Sequence, residues 1–451
     1  MQNWIEIVRF GYNRGVKYFI WTEGCQMNSA DSLRVAAALE NLGYQSSPKP
    51  ESADVIVLNT CVVRQSAEDK AIGRLTSLKS LKTSHPDKVI NLMGCMVGIS
   101  GAAELRERYP YVDVFSQPSD PHPLIEFLSD PKSQEKVRQQ HIEDILDEEY
   151  AYALPDSRKE TLVSALLPVV FGCSHACSYC VIPLRRGREI SRPSEEILAD
   201  ARALVDQGVK EIILLGQIVD RYGHDQPDYP HLGGLLRSLH EIEGLERLRF
   251  LTSHPNWMSD ELLDAVADLP KVMPHFELPI QAGDDAVLRA MRRGYTVEKF
   301  MRIVEQIRAR FNPVSIATDL IVGFPGESGT QFENSVKALE AMQPDMTHVA
   351  RYSPRPGTHS ALAMANDVPE VEKMRRFREI ETLQEKITSQ INAAYLNQRV
   401  PVLFEDKHKN RWRGRTPTNK LVFVETDADL KGKVVDVKVT WAGPWSMIAE
   451  V

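Results

Sequence analysis

The sequence predicts an α/β protein in three folded parts: an N-terminal parallel α/β domain, a central partial (β/α) barrel and a C-terminal small all-β barrel. Three observations predict it. Apolar runs alternate with helical stretches three times between residues 17 and 130. The alternation resumes at longer intervals from 163 to 355, and after 391 it gives way to short strand-like runs between turn residues. Strand–helix repetition favours a parallel sheet with helices on its faces, whereas closely spaced short strands favour a barrel or sandwich.

The first territory pairs KYFIWTEGC (17–25) with SADSLRVAAALENLG, ADVIVLNTC (53–61) with SAEDKAIGRLTSLKSL, and KVINLMGC (88–95) with GAAELRERY. Residues 139–160 are acidic and carry a proline, so we read a linker over 136–162 between a domain at 1–135 and a barrel at 163–388. The barrel's candidate strands are LPVVFG (167–172), EIILLGQ, RLRFLTS, HFELPIQ, VSIATDLIVGF and HVARYS, with helical segments such as EEILADARALVDQG between them. Six such units place a site at the C-terminal strand ends. A long polar–apolar helix over 370–398 leads to the last domain, 389–451, where VPVLFED, KLVFVET, VVDVKVTWA and WSMIAEV read as strands.

The totals narrow the classes. With 451 residues, 43% hydrophobic and 26% charged, the chain can build real cores and needs no disulfide staples. A net charge of −8 gives no global signal for nucleic acid. No secretory pattern and no membrane-length apolar run is read, so a cytoplasmic location without membrane partners is expected. There, thiols serve as metal ligands or catalysts more often than as disulfides.

Three of the six cysteines fall within eight residues: Cys173, Cys177 and Cys180, in GCSHACSYC. On a helix they would share one face as buried thiols, but Gly172, Pro183 and the polar Ser174, His175 and Ser178 argue for a loop. Such a loop can hold a cubane iron–sulfur cluster with one iron left open to an amine and a carboxylate, as S-adenosylmethionine (SAM) offers. Zinc is the other metal reading, although a structural zinc site wants a fourth ligand, which His175 supplies only awkwardly. The remaining three, Cys25, Cys61 and Cys95, each follow a strand and precede a helix. In a parallel sheet those ends lie side by side, so convergence at one edge competes with the reading of three separate buried thiols.

These residues resemble the radical-SAM superfamily, marked by C-x3-C-x2-C after the first barrel strand with an aromatic, here Tyr179, before the last cysteine. The second cysteine trio and the C-terminal β domain resemble the methylthiotransferases, whose small β domain is of the TRAM type. GCQMN (24–28), GREISRP (187–193), TSHP (252–255), LPIQAGDD (278–285), MRRGYT (291–296), TDLIVGFPGE (318–327) and YSPRPGT (352–358) are similar to the MiaB branch, which methylthiolates isopentenyl-adenosine beside the tRNA anticodon. Trp21, Glu23 and Ile218 depart from that branch's usual residues.

The resemblance implies two 4Fe–4S clusters and SAM as cofactors. Cys173, Cys177 and Cys180 would hold the SAM-cleaving cluster, and Cys25, Cys61 and Cys95 an auxiliary cluster that supplies sulfur. One SAM would donate the methyl group; a second would give the radical that takes the hydrogen from carbon 2 of the base. Partners would be a tRNA anticodon stem-loop, a flavodoxin- or ferredoxin-like electron donor, and a sulfur or cluster carrier. An aromatic C–H is too weak an acid for base chemistry, and an anticodon loop offers bases already unpaired.

Around SAM the resemblance points to Tyr179, Gly216, Gln217, Ser253, Gln281, Arg293 and Asp319, with His254 beside Ser253. Tyr179 could instead simply cover the cluster, and Asp319 could be a structural carboxylate. For RNA, Arg185, Arg186 and Arg188 follow the cysteine loop, where phosphate contact competes with a solvated face. Residues 407–420, KHKNRWRGRTPTNK, carry six cations and no acid: Lys407, Lys409, Arg411, Arg413, Arg415 and Lys420, with Trp412 among them. Cations around an aromatic suit an RNA backbone and a stacked base; the alternative is a charged surface hairpin. Rival functions are methylthiolation of a ribosomal protein side chain or of threonylcarbamoyl-adenosine, and a non-catalytic iron–sulfur electron carrier or sulfur scaffold.

Overall fold

The computed structural model describes residues 15–129, 154–159 and 161–451. Most of the acidic linker expected at 136–162 lies outside the described residues. The chain forms two compact units. The first comprises Met1–Thr161 with the short segment Leu184–Arg186; the second comprises Leu162–Pro183 and Gly187–Val451.

In the first unit five parallel strands stand in the order β2-β1-β3-β4-β5: β1 (Lys17–Thr22), β2 (Gln45–Ser46), β3 (Val55–Thr60), β4 (Val89–Gly94) and β5 (Val114–Ser116). β3 is buried at every residue, because a central parallel strand is covered on both faces and reads as a continuous apolar run. Val55, Val57 and Met93 pack with Val35 and Leu39 of helix α1 (Gln26–Asn41). β2 and β5 were not anticipated, since two or three residues are too few to display a period. Helix α2 (Gln65–Ser84) completes the second strand–helix pair.

The second unit opens with six parallel strands in two hydrogen-bonded groups, β10-β9-β6 and β11-β12-β13. They are β6 (Ser164–Pro168), β9 (Glu211–Leu215), β10 (Arg247–Phe250), β11 (His275–Glu277), β12 (Ser315–Val322) and β13 (Met346–Arg351). A single bridge, Leu248 to Val272, and the Ser253 N–H to Glu277 O bond of 3.1 Å join the groups. This is the partial barrel. Helices α3 (Ser194–Asp206), α4 (Leu232–His240), α5 (Asp260–Asp268), α6 (Val297–Arg310) and α7 (Gly329–Met342) lie between its strands in sequence. The first strand ends earlier than the sequence suggested. Val170–Phe171 (β7) instead pairs antiparallel with Ile190–Ser191 (β8), after Pro168 closes β6.

Helix α8 (Glu370–Ala393) leads to a closed five-stranded barrel ordered β14-β15-β16-β18-β17. Its strands are β14 (Arg399–His408), β15 (Arg411–Arg415), β16 (Leu421–Val424), β17 (Val434–Ala442) and β18 (Met447–Glu450). Lys409 and Asn410 both take positive φ, +48° and +65°, which is what a two-residue hairpin turn between right-twisted strands needs. The barrel docks on the partial barrel through two arginines at the start of β10. Arg247 donates to Arg415 O at 2.7 Å, and Arg249 to Thr416 O and Pro417 O at 2.8 Å each. Arg249 is balanced by Glu211 at 2.7 Å, so the buried guanidinium is paired and each of its three nitrogens is hydrogen-bonded.

Candidate active site

Cys173, Cys177 and Cys180 lie on a loop after β7, not on a helix. Gly172 starts it with φ +65°, and a Cβ there would lie 2.0 Å from Arg188 O, so only glycine fits. The loop is tied down by backbone bonds from Cys173 N to Gly187 O (3.0 Å) and Ser178 N to Met291 O (3.0 Å). Ser178 Oγ adds a bond of 2.7 Å to Ala290 O. Burial pushes Cys173 up to about 11 and Cys180 up to about 12; Cys173 also feels the charge of Cys177, and Cys180 that of Cys177 and Cys173. Cys173 and Cys180 therefore stay protonated until a metal compensates the charge.

His175, inside the loop, accepts the indole N–H of Trp257 on Nε2 at 3.3 Å and lies against the His254 ring at 4.5 Å. That nitrogen is occupied, which weakens the zinc reading. Among the described residues, no group of three or more His, Cys, Asp or Glu side chains is gathered as one metal ion needs.

Buried polar atoms without partners lie beside this loop: Ser253 Oγ, His254 Nε2 and one terminal nitrogen of Arg293. Arg293 is held by Nε to Tyr295 Oη at 3.1 Å and reaches Cys177 Sγ with its other terminal nitrogen at 3.2 Å. Burial, with the Arg293 charge next in size, lowers His254 to about 2, so it is neutral. A cationic donor, a hydroxyl and a neutral imidazole left unsatisfied in one burial zone suit a ligand carrying a carboxylate and other polar groups, which is the chemistry of SAM. The thiol loop and these donors together fit the cofactor pair expected from the sequence.

The other expected contacts are placed as follows. Tyr179 meets Phe324 edge-on at 6.4 Å and interacts electrostatically with Arg293, Cys177 and Cys180. Gly216 follows β9; its carbonyl accepts from Thr252 Oγ1 at 2.7 Å. Gln217 is half-buried on the next position. Gln281 takes φ +67° and bridges to Leu320, and its N–H donates to Asp319 O at 2.8 Å. Asp319 lies within β12. Sequence reasoning missed Glu277 and Asp220. Glu277 ends β11, and burial with the Asp319 charge raises it to about 7. Asp220 accepts the His254 N–H at 2.9 Å, and burial raises it to about 8. A polar residue at the last position of a short strand was the available signal for Glu277.

In the first unit the second trio stands at the ends of neighbouring strands. Cys25 caps the N-terminus of α1, Cys61 follows β3 and Cys95 follows β4. Cys95 feels the charge of both Cys61 and Cys25, and Cys61 that of Cys25. Gly94 makes the approach possible: its φ is +94°, and a Cβ would lie 2.5 Å from Thr60 O. Burial raises Cys61 and pushes Cys95 up to about 11.

Two of the cations expected to face RNA are placed otherwise. The Arg186 side chain is buried in the first unit, paired with Asp31 at 3.2 Å, so it presents no surface to a phosphate. Lys420 is buried against Asp345 at 2.6 Å. Arg413 is held by both oxygens of Asp406, at 2.9 and 2.6 Å, though it stays partly exposed. Trp412 is a correction too. It is a core residue of the β barrel, its indole N–H donating to Ala428 O at 2.8 Å, so its ring is closed to a stacked base. In an alternating strand, exposed Arg411 puts its neighbour inward. Arg411 and Arg415 stay accessible beside Glu425 and Glu405, Arg188 and Lys409 are exposed, and Arg185 is half-buried.

Three family models match: the Radical SAM superfamily over residues 167–339, the TRAM domain over 393–451, and Uncharacterized protein family UPF0004 over 17–116. Among solved structures the chain is similar in fold to a radical S-adenosylmethionine methyltransferase, TsrM, from Kitasatospora setae. The TM-score is 0.55 with 15% identity, over 77% of each chain. Among relatives it is 48% identical to a tRNA-2-methylthio-N(6)-dimethylallyladenosine synthase of Roseiflexus sp. (strain RS-1), over 96% of this chain and 88% of that one. The protein of that name from Herpetosiphon aurantiacus is 47% identical over 95% of this chain and 96% of its own. That from Chloroflexus aurantiacus is 45% identical over 96% and 90%. With identity of this degree along nearly the whole chain, the protein belongs to the family of tRNA-2-methylthio-N(6)-dimethylallyladenosine synthases, enzymes of the radical-SAM class.

Proposed function

We propose that this enzyme adds a methylthio group to carbon 2 of isopentenyl-adenosine next to the tRNA anticodon. The observation that carries the reading is the near-full-length identity to synthases named for that product, together with two separate cysteine trios, one on a single loop and one at neighbouring strand ends. We assign one 4Fe–4S cluster to Cys173, Cys177 and Cys180, and a second to Cys25, Cys61 and Cys95. When bound, the clusters and SAM supply one-electron cleavage of a carbon–sulfur bond, a sulfur atom and a methyl group. In the balance, the hydrogen of carbon 2 leaves with the adenosyl fragment of one SAM, the methyl comes from another, and electrons come from a flavodoxin- or ferredoxin-like donor. A sulfur or cluster carrier restores the sulfur.

The protein's own share is binding and exclusion. Arg293, Ser253 and His254 present donors to the cofactor's polar end, and Tyr179 with Phe324 walls its aromatic side. Neutral His175 and Trp257 hold the cysteine loop in shape. Accessible Lys409, Arg411, Arg413 and Arg415, with Arg185 and Arg188, meet RNA phosphates.

The test is a nucleoside mass analysis. The protein, reconstituted without oxygen, receives SAM, a reductant and an anticodon stem-loop carrying isopentenyl-adenosine. A gain of one methylthio group on that nucleoside is expected. Adenosyl product without the gain would keep the radical chemistry and refute the substrate.

A further inference from the structure

Arg186 is the one cation of the LRRGR segment that the first unit buries. Its guanidinium is spent in three directions. Nε donates to Cys95 Sγ at 3.3 Å, one terminal nitrogen to Asp31 Oδ2 at 3.2 Å, and the other to Ser119 Oγ at 3.3 Å. The side chains of Arg186 and Asp31 are 3% and 0% exposed. Ser119 Oγ in turn bonds Asp31 Oδ1 at 2.5 Å, and Ser119 takes φ +63°, a strained backbone for a residue with a side chain. Asp31 and Ser119 thus fix the plane and direction of the guanidinium. A buried ion pair is a poor source of stability by itself, and a simple tether would not need the third prong on a cysteine sulfur.

We propose that Arg186 is a positioning residue that sets the reduction potential of the cluster held by Cys25, Cys61 and Cys95. This rests on the reading that those cysteines hold a cluster. Hydrogen bonds and positive charge at ligating sulfur are among the levers that tune iron–sulfur potentials. The reduced cluster carries one more negative charge, so a fixed N–H donor with a full positive charge stabilises it more than the oxidised form. Arg186 therefore raises the potential, and Asp31 moderates that effect by drawing part of the charge.

The experiment uses the full-length chain with Cys173→Ala, Cys177→Ala and Cys180→Ala, which leaves one cluster, and follows a redox titration by electron paramagnetic resonance with iron counted per chain. Arg186→Gln is expected to shift the reduction equilibrium at least tenfold towards the oxidised form, about 59 mV downward for one electron. Arg186→Lys, which keeps the charge but not the fork, recovers part of the shift. Asp31→Asn, with Arg186 retained, moves the potential upward. An Arg186→Gln cluster with full iron and an unchanged potential overturns the proposal. If that variant loses its iron, an unchanged potential in Asp31→Asn overturns it instead. A parent chain that binds no iron refutes the cluster reading itself, and the proposal with it.

Discussion

Arg293 shows how much of the candidate site rests on one residue. The MRRGYT motif singled it out, but its strength as a candidate comes from structure: buried, clamped by Tyr295, in reach of Cys177, with one nitrogen unspent. A charge-assisted hydrogen bond contributes about 1.5–3 kcal/mol, so Arg293→Ala should weaken SAM binding by about 10- to 100-fold. Equilibrium dialysis against an iron-replete variant measures this; undiminished affinity would remove Arg293 from the site. Glu277 was invisible to motif reading because its role depends on what surrounds it. Its carboxyl, raised to about 7 by burial and by Asp319, binds a proton in the folded chain that the unfolded chain releases at about 4.5. The folded state therefore holds more protons between those values, and stability falls as pH rises through the window. Glu277→Gln should flatten that decline, by no more than about 3 kcal/mol at pH above 7. Denaturant titrations from pH 4.5 to 8 on the chain without SAM decide it; parallel curves for the two proteins contradict the shift.

At the scale of elements, what was legible followed from periodicity and what was not followed from length and context. The α1, α6 and α8 helices and the β3, β9 and β12 strands could be read because each displays enough residues to show its period. β2, β5 and the β7–β8 pair could not, at two or three residues each. β15 was hidden for another reason: its charges read as a basic surface patch, although alternate residues of RWRGR point into the barrel. That alternation moves Trp412 from ligand to core. Trp412→Ala should then destabilise the barrel by about 3–5 kcal/mol, seen in chemical denaturation; a negligible loss would return Trp412 to the surface. The aromatic surfaces that the barrel does expose are Trp441 and Trp445, each about half exposed at 50% and 51%. Arg411→Ala with Arg413→Ala should lower tRNA affinity and reduce the slope of log affinity against log salt by about 1 to 2. An unchanged slope across a salt series would mean that Asp406 and Glu425 already neutralise these arginines.

At the scale of the whole molecule, the net charge of −8 hid an RNA-binding reading, because a global sum says nothing of where cations gather. The cysteines speak more clearly at this scale than at any other. All six are free, three in each compact unit. Burial keeps Cys61, Cys95, Cys173 and Cys180 protonated without metal, so cluster assembly must expel protons and should proceed faster as pH rises. Two cubanes require about eight irons per chain. Replacing Cys25, Cys61 and Cys95 by alanine should leave about four irons and an intact ability to cleave SAM, with no methylthio product. Replacing Cys173, Cys177 and Cys180 should also leave about four, but abolish cleavage. Iron analysis beside a SAM-cleavage assay reads both. If either variant kept eight irons, or if the first lost SAM cleavage as completely as the second, the division of labour between the trios would be wrong.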